Sequence, residues 1–277
     1  MKTKIALGVT LAVLLGFAMA NAQPLFNNWY FNPNGTGLGG AVQITEYLDL
    51  TGIAYVENTV TGGGPGGTFT DHGTFYSSGH DSTPWALSDY QLTATFDGTG
   101  TFTDLASGSF SFDPGGLLNI YSDSTHNYGT NTDPGTYGAD DGTLIGTWSV
   151  VSGGGTLLQA VPNGTITIFF AATSLAPGYW FTPAGVDMST LSAPMIAISM
   201  ATTNASATAP NAIVVDEFQE WFDPDPPNSN NIPTQIWLSN NGQYRVGVVP
   251  EPATMLLMGS GLAGLAGFVK RRKKTKA

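Results

Sequence analysis

Cysteine is absent from the 277 residues, which removes thiol catalysis, disulfide staples and cysteine-ligated zinc or iron–sulfur centres. Basic residues are almost as scarce within the chain. Of 9 Lys and Arg, Lys2 and Lys4 stand at one end, six crowd into Lys270–Lys276, and Arg245 alone lies between. Nineteen acidic residues from Gln23 to Val249 leave that body at −18, a balance concealed by the whole-chain value of −11. So acidic a body is a poor partner for nucleic acid, where Lys and Arg on phosphates supply most of the affinity. Anionic lipid suits it no better. Cations are its natural counter-partners, and copies of it repel one another at low salt. Charged residues make up 10% of the chain, against roughly 25% in an ordinary globular domain. P-loop, HExxH, EF-hand and GxSxG patterns are also missing.

What fills the deficit is Gly, Thr, Ser and Asn, residues of turns and of hydroxyl-bearing strands. Runs such as "AVQITEYLDL", "GTFTDHGTFY", "YQLTATFDGTGTFTDL", "GTITIFFAATSL" and "QYRVGVV" recur with turn signals between them. No interior stretch sustains helical periodicity for three turns. The pattern predicts an all-β protein, an antiparallel sandwich or jelly-roll-like body. Asp97-Gly98 between alternating Leu, Thr and Phe predicts a hairpin turn. The pentapeptide "GTFTD" occurs at Gly67–Asp71 and at Gly100–Asp104, and without a third copy it reads as two similar edge hairpins. In "VVDEFQEWF", Phe218 and Phe222 at i,i+4 mark a short helix as the one exception.

The two ends read as addresses. "MKTK", an apolar run and Ala20-Asn21-Ala22 have the head, core and small-x-small cut site of a signal peptide, with cleavage before Gln23. At the other end, Ala253–Val269 is 17 residues without a charge, a helix of about 25 Å at the short limit for a hydrocarbon core of ~30 Å. Lys270, Arg271, Arg272, Lys273 and Lys274 follow it directly and hold that end in the cytoplasm by the positive-inside rule. Both ends therefore agree: body outside, tail inside. The division is residues 1–22 as signal helix, 23–247 as β-rich body and 248–277 as tail with its transmembrane helix.

Candidate chemistry in the body is thin. His72 and His80 each adjoin an aspartate, and across a turn they would face one another as a metal site needs; two exposed loop histidines are the alternative, and His126 stands apart. Clustered loop carboxylates suit calcium, with Asp133, Asp140 and Asp141 the first candidate site and Asp216, Glu217, Asp223 and Asp225 a second. No other cofactor is expected. A glycosidase needs two carboxyl groups about 5–10 Å apart, and spacing selects no pair among Glu46, Glu57, Glu217 and Glu220. Most aspartates adjoin Gly or Pro, as turn residues do. Six tryptophans suit a β core, with Trp29 and Tyr30 the candidates for stacking on sugars.

Pro250-Glu251-Pro252, the short apolar helix and the terminal Lys/Arg cluster, in that order, resemble a PEP-CTERM sorting signal. The resemblance implies an exosortase substrate of Gram-negative bacteria that make exopolysaccharide. Such a protein is exported, held transiently in the inner membrane, and processed to the cell surface or extracellular matrix. The prolines fit this physically, since they keep the site extended and open to a protease. "FNNWYFNPNGTG", "EYLDLTGIAYVEN" and "GTFTDHGTFY" are similar to phrases in flocculation-associated PEP-CTERM proteins, which implies a role in cell aggregation or biofilm. The expected function is thus a non-enzymatic surface or matrix protein whose partners are the exosortase and an extracellular polysaccharide. A secreted carbohydrate-active enzyme or a lectin-like polysaccharide-binding protein is the alternative.

Overall fold

Hydroxyl and apolar residues alternate along "GTFTDHGTFYSSGH", and a strand sends successive side chains to opposite faces. A computed structural model describes residues 25–62, 64–85, 90–104, 107–130, 136–158, 163–191, 196–221, 229–230 and 234–248. In chain order the strands are β1 (Trp29–Phe31), β2 (Val42–Ile44), β3 (Leu48–Val60), β4 (Gly67–His80), β5 (Thr83–Pro84), β6 (Gln91–Asp104) and β7 (Ser109–Phe112). They continue with β8 (Leu117–Asp123), β9 (Thr143–Leu158), β10 (Asn163–Leu175), β11 (Trp180–Phe181), β12 (Ile196–Ala207) and β13 (Gln235–Val248). One helix, α1 (Ala212–Trp221), lies between β12 and β13.

Pairing of β4 with β6 closes the large sheet on itself. Around the ring run β3, β4, β6, then β7 and β8 end to end, β9, β10, β12 and β13, which pairs again with β3. The neighbours whose register is described are all antiparallel. The expected all-β antiparallel body is therefore present, with its layers joined at both edges into a barrel. Closure leaves no edge strand in the ring, which removes the hazard of open edges.

Inside, Phe69 and Phe75 of β4, Phe96 and Phe102 of β6 and Phe170 of β10 are buried. Phe96 meets Phe170 from the opposite wall edge-on at 5.9 Å. Outward positions on the same strands carry exposed Thr68, Thr70, Thr99 and Thr101. This polarity is the reverse of a membrane-spanning barrel, whose lipid face is apolar.

One end of the barrel is sealed by aromatic packing. There β11, β1 and β2 form a separate three-stranded sheet. Trp29 stacks on Trp180 at 6.0 Å, Phe31 packs on Trp180 at 4.9 Å, and Trp148 of β9 meets Trp180 edge-on at 6.1 Å. The Trp180 indole N–H donates to the Ile145 carbonyl at 3.0 Å, so its polar atom is satisfied in the core. On the outer wall, α1 buries Val214, Val215 and Phe218 against Tyr55 and Trp237. Asn211 caps the helix by accepting from the Val214 N–H at 2.8 Å. The helix expected around Phe218 is thus present, and Phe222 lies outside the described residues.

Two local expectations are corrected. Asp97-Gly98 is no hairpin turn but the middle of β6. The turn lies instead in the neighbouring segment, where β7 ends at Phe112 opposite Gly100 and β8 starts at Leu117 opposite Asp97. The two GTFTD segments are not edge hairpins either. They pair with each other in the closed ring, Gly67 opposite Phe102 and Phe69 opposite Gly100.

Candidate functional site

Away from the tryptophan cap, the other end of the barrel contains a cavity of about 60 Å³. It is lined by the C-terminal parts of β3, β6 and β9 and the N-terminal parts of β4, β10 and β13, with β7 completing the wall. Phe69, Phe102, Phe110, Phe112, Leu157 and Ile166 make most of it apolar. Phe69 lies edge-on to Phe110 at 5.7 Å and to Phe112 at 5.1 Å, so the aromatic wall is interlocked.

Into this wall β4 places Asp71, which is 5% exposed. Its cross-strand partners are Val56 on β3 and Gly98 on β6, one apolar and the other without a side chain. Asp71 Oδ1 accordingly finds no hydrogen-bond partner among the described residues. Burial pushes the carboxyl up from 3.8 to about 7; His72 pulls it down and Asp97 pushes it up further. Asp104 also lines the cavity, near its mouth. Asp71 was not among the expected site residues. Strand parity alone points to it: Phe69, Asp71, Gly73 and Phe75 share one face, and the phenylalanines make that face the interior.

The expected histidine pair does not converge. His72 and His80 lie on the same continuous strand, β4, with no turn between them. Eight residues of strand hold their backbones roughly 26 Å apart. His72 points outward, its Nδ1 2.5 Å from Asp97 Oδ1 and its ring 5.6 Å from Trp221. His80 meets Asp81 at 3.2 Å, beside a two-residue turn in which Asp81 and Ser82 both have positive φ. Burial pushes the Asp81 carboxyl up, but backbone N–H groups of Thr45, Glu46 and Tyr47 and the His80 side chain together bring it below its ordinary value.

Of the first acidic cluster, Asp133 lies outside the described residues. Asp140 accepts from the Thr136 N–H, and Asp141 accepts from the Asn127 amide at 2.5 Å. Both tie down the loop between β8 and β9. In the second cluster Glu217 accepts from the Tyr137 N–H at 2.9 Å, fastening that loop to α1, while Asp223 and Asp225 lie outside the described residues. Among the described residues no three acidic or histidine side chains gather around one point. The body's only basic residue, Arg245, is engaged by Glu46 at 3.6 Å, Gln243 at 3.1 Å and the Tyr47 ring at 5.4 Å.

Trp29, a sugar-stacking candidate, is corrected to a core residue with no exposed surface, as are Trp148, Trp180 and Trp237. Tyr30 stays half-buried, its hydroxyl 3.4 Å from the Gln43 amide. The exposed polar surface lies elsewhere. Thr59, Thr68, Thr101 and Ser111 are exposed and stand in one row across β3, β4, β6 and β7, and Thr70 and Thr99 begin a second row.

Ala20, Ala22, Pro250, Glu251, Pro252, the apolar helix and Lys270, Arg271, Arg272, Lys273 and Lys274 all lie outside the described residues. None of the described helices is long and apolar enough to cross a membrane. Comparison with protein families shows that residues 248–273 match the PEP-CTERM protein-sorting motif. This agrees with the resemblance read from the sequence and implies export and exosortase-dependent sorting. Neither the curated proteins nor the solved structures contain a match to the chain.

Proposed function

We propose that the body is a non-enzymatic matrix protein that helps cells or polymer strands adhere within an exopolysaccharide matrix. The observation that carries this reading is the sorting motif at 248–273, which sends the barrel to the outside of the cell. Two properties of the body support it. Its balance of −18 makes direct contact between copies unfavourable, so adhesion runs through neutral sugars or through divalent cations such as calcium bridging surface carboxylates. The uncharged hydroxyl rows Thr59–Thr68–Thr101–Ser111 and Thr70–Thr99 supply the sugar-facing surface. Adjacent strands lie about 4.8 Å apart and alternate residues about 6.7 Å apart, which spreads donors and acceptors evenly over a patch that repels no neutral polymer.

The alternative, a carbohydrate-active enzyme, calls for paired carboxyl groups. In the barrel cavity Asp71 stands opposite Gly98, and Asp104 is six residues along β6 from that point, roughly 20 Å of strand. That separation favours the non-enzymatic reading. The test is genetic and biochemical together. Deleting the gene, or only the segment 250–277, disperses cell aggregates while polysaccharide synthesis continues. Aggregates that persist unchanged in both strains overturn the adhesive role, and cleavage of the polysaccharide by purified body puts the enzyme in its place.

A further inference from the structure

We propose that the open end of the barrel is a binding site for a short primary alkylammonium group, the cation pairing with Asp71 and its methylenes lying against Phe69, Phe112, Leu157 and Ile166. The proposal is independent of the adhesive role. It starts from Asp71, a carboxyl buried to 5% exposure with Oδ1 unpartnered among the described residues and set in the cavity wall. Buried polar groups are nearly always hydrogen-bonded, and an exception is explained by a ligand, a water or a function.

No cation among the described residues answers this carboxyl. The elements packed around it bring Val56 from β3, Gly98 from β6, Leu157 from β9, Ile166 from β10, and Ile236 and Leu238 from β13. The titratable groups nearby are Asp104 at the mouth, His72 and Asp97. The last two are on the outer face of the wall and engage each other at 2.5 Å. Arg245, near the far end of β13, is held by Glu46 and Gln243. An anionic ligand would meet Asp104 at the mouth and Asp71 within. A cation suits Asp71, the carboxyl it reaches inside the cavity.

Size and polarity narrow the class. One water-sized position takes about 10–15 Å³, so a cavity of about 60 Å³ admits about four to six non-hydrogen atoms. With phenylalanine and aliphatic walls, those atoms are methylenes, and the single carboxyl places one charged nitrogen at their end. A four-carbon primary amine fits, whether as a free molecule or as the side chain of a lysine. Both sources present the same run of methylenes ending in an ammonium.

Burial pushes the carboxyl up to about 7, and an ammonium pairs with its ionised form. Apparent affinity for n-butylammonium chloride should therefore rise about tenfold from pH 6 to pH 8, with proton release at the lower pH. Calorimetry on the purified body, at matched ionic strength, should detect that binding and none by butan-1-ol at the same concentration. Nα-acetyl-lysine amide in a parallel titration separates the sources: binding there assigns lysine side chains, and binding by butylammonium alone assigns free amines. Asp71→Asn should abolish the heat while circular dichroism keeps its β signal. Absence of butylammonium binding, equal binding by butan-1-ol, or full binding by folded Asp71→Asn would each overturn the proposal. If the variant does not fold, the comparison of amine and alcohol on the unaltered protein decides alone.

Discussion

At the scale of single residues, the burial of Asp71 links stability to pH. Its carboxyl sits at about 7 in the folded body against 3.8 ordinarily. Between those values the folded state keeps a proton that the unfolded chain has lost, so this residue's contribution to stability falls as pH rises through that window and is level above it. Between pH 5.5 and pH 8.5 the expected loss is about 2 kcal/mol, at 1.36 kcal/mol per unit. Asp71→Asn carries no such titration. Urea unfolding of both proteins at the two pH values should show the variant gaining about that much on the unaltered protein as pH rises; parallel curves would place Asp71 in contact with water. Asp81 works in the opposite sense, since its lowered carboxyl contributes stability above the ordinary range and loses it on acidification. Strand parity was the one signal in sequence for Asp71, and Asp81 had none. Asp71 and Asp97 both look like turn residues beside Thr, His or Gly, and only the length of the strands puts one inside the barrel and the other on His72 outside.

At the scale of elements, the repeated GTFTD has a packing reason. In the β4–β6 pair, Phe69 covers the bare backbone of Gly100, and Phe102 covers that of Gly67, so each copy supplies the ring that the other's glycine makes room for. A Cβ on Gly100 would lie 2.3 Å from the Phe69 ring and 2.2 Å from the Ser111 carbonyl oxygen. Gly100→Ala should therefore cost about 1–3 kcal/mol through overpacking, while Thr99→Ala, on the exposed face, should stay within about 0.5 kcal/mol. Chemical denaturation of the two variants checks the contrast, and equal midpoints would remove the packing role. The periodicity that made β strands legible was local: Phe and Thr alternating, and Phe218 placed for a helix face. Strand order was not legible, because pairing across 33 residues of sequence depends on closure of the ring rather than on any nearby turn signal. The Asp97-Gly98 dipeptide misleads for the same reason. It sits where β6 changes partner from β8 to β7, and the bend belongs to Asp113–Gly116.

At the scale of the whole molecule, charge and sorting are one problem. Basic residues stand at both extremities of an acidic body, and each cluster is expected from the sequence to act at a membrane: Lys2 and Lys4 ahead of the expected signal core, Lys270–Lys276 behind the apolar tail. Processing at the motif matched at 248–273 is expected at Pro250-Glu251-Pro252, where prolines favour an extended backbone. Removal of both ends would take away eight of the 9 basic residues and move the balance from −11 to about −18. Two measurements on protein recovered outside the cell should then agree. Mass spectrometry should find no peptide containing Lys270–Lys276, and isoelectric focusing should place the mature form more acidic than the precursor value of about 4.3. Intact tail peptides on most extracellular copies, with focusing unchanged, would reduce the C-terminal segment to an ordinary anchor. A clean loss of the tail would leave an acidic barrel whose hydroxyl face and aromatic-lined mouth are its remaining means of contact.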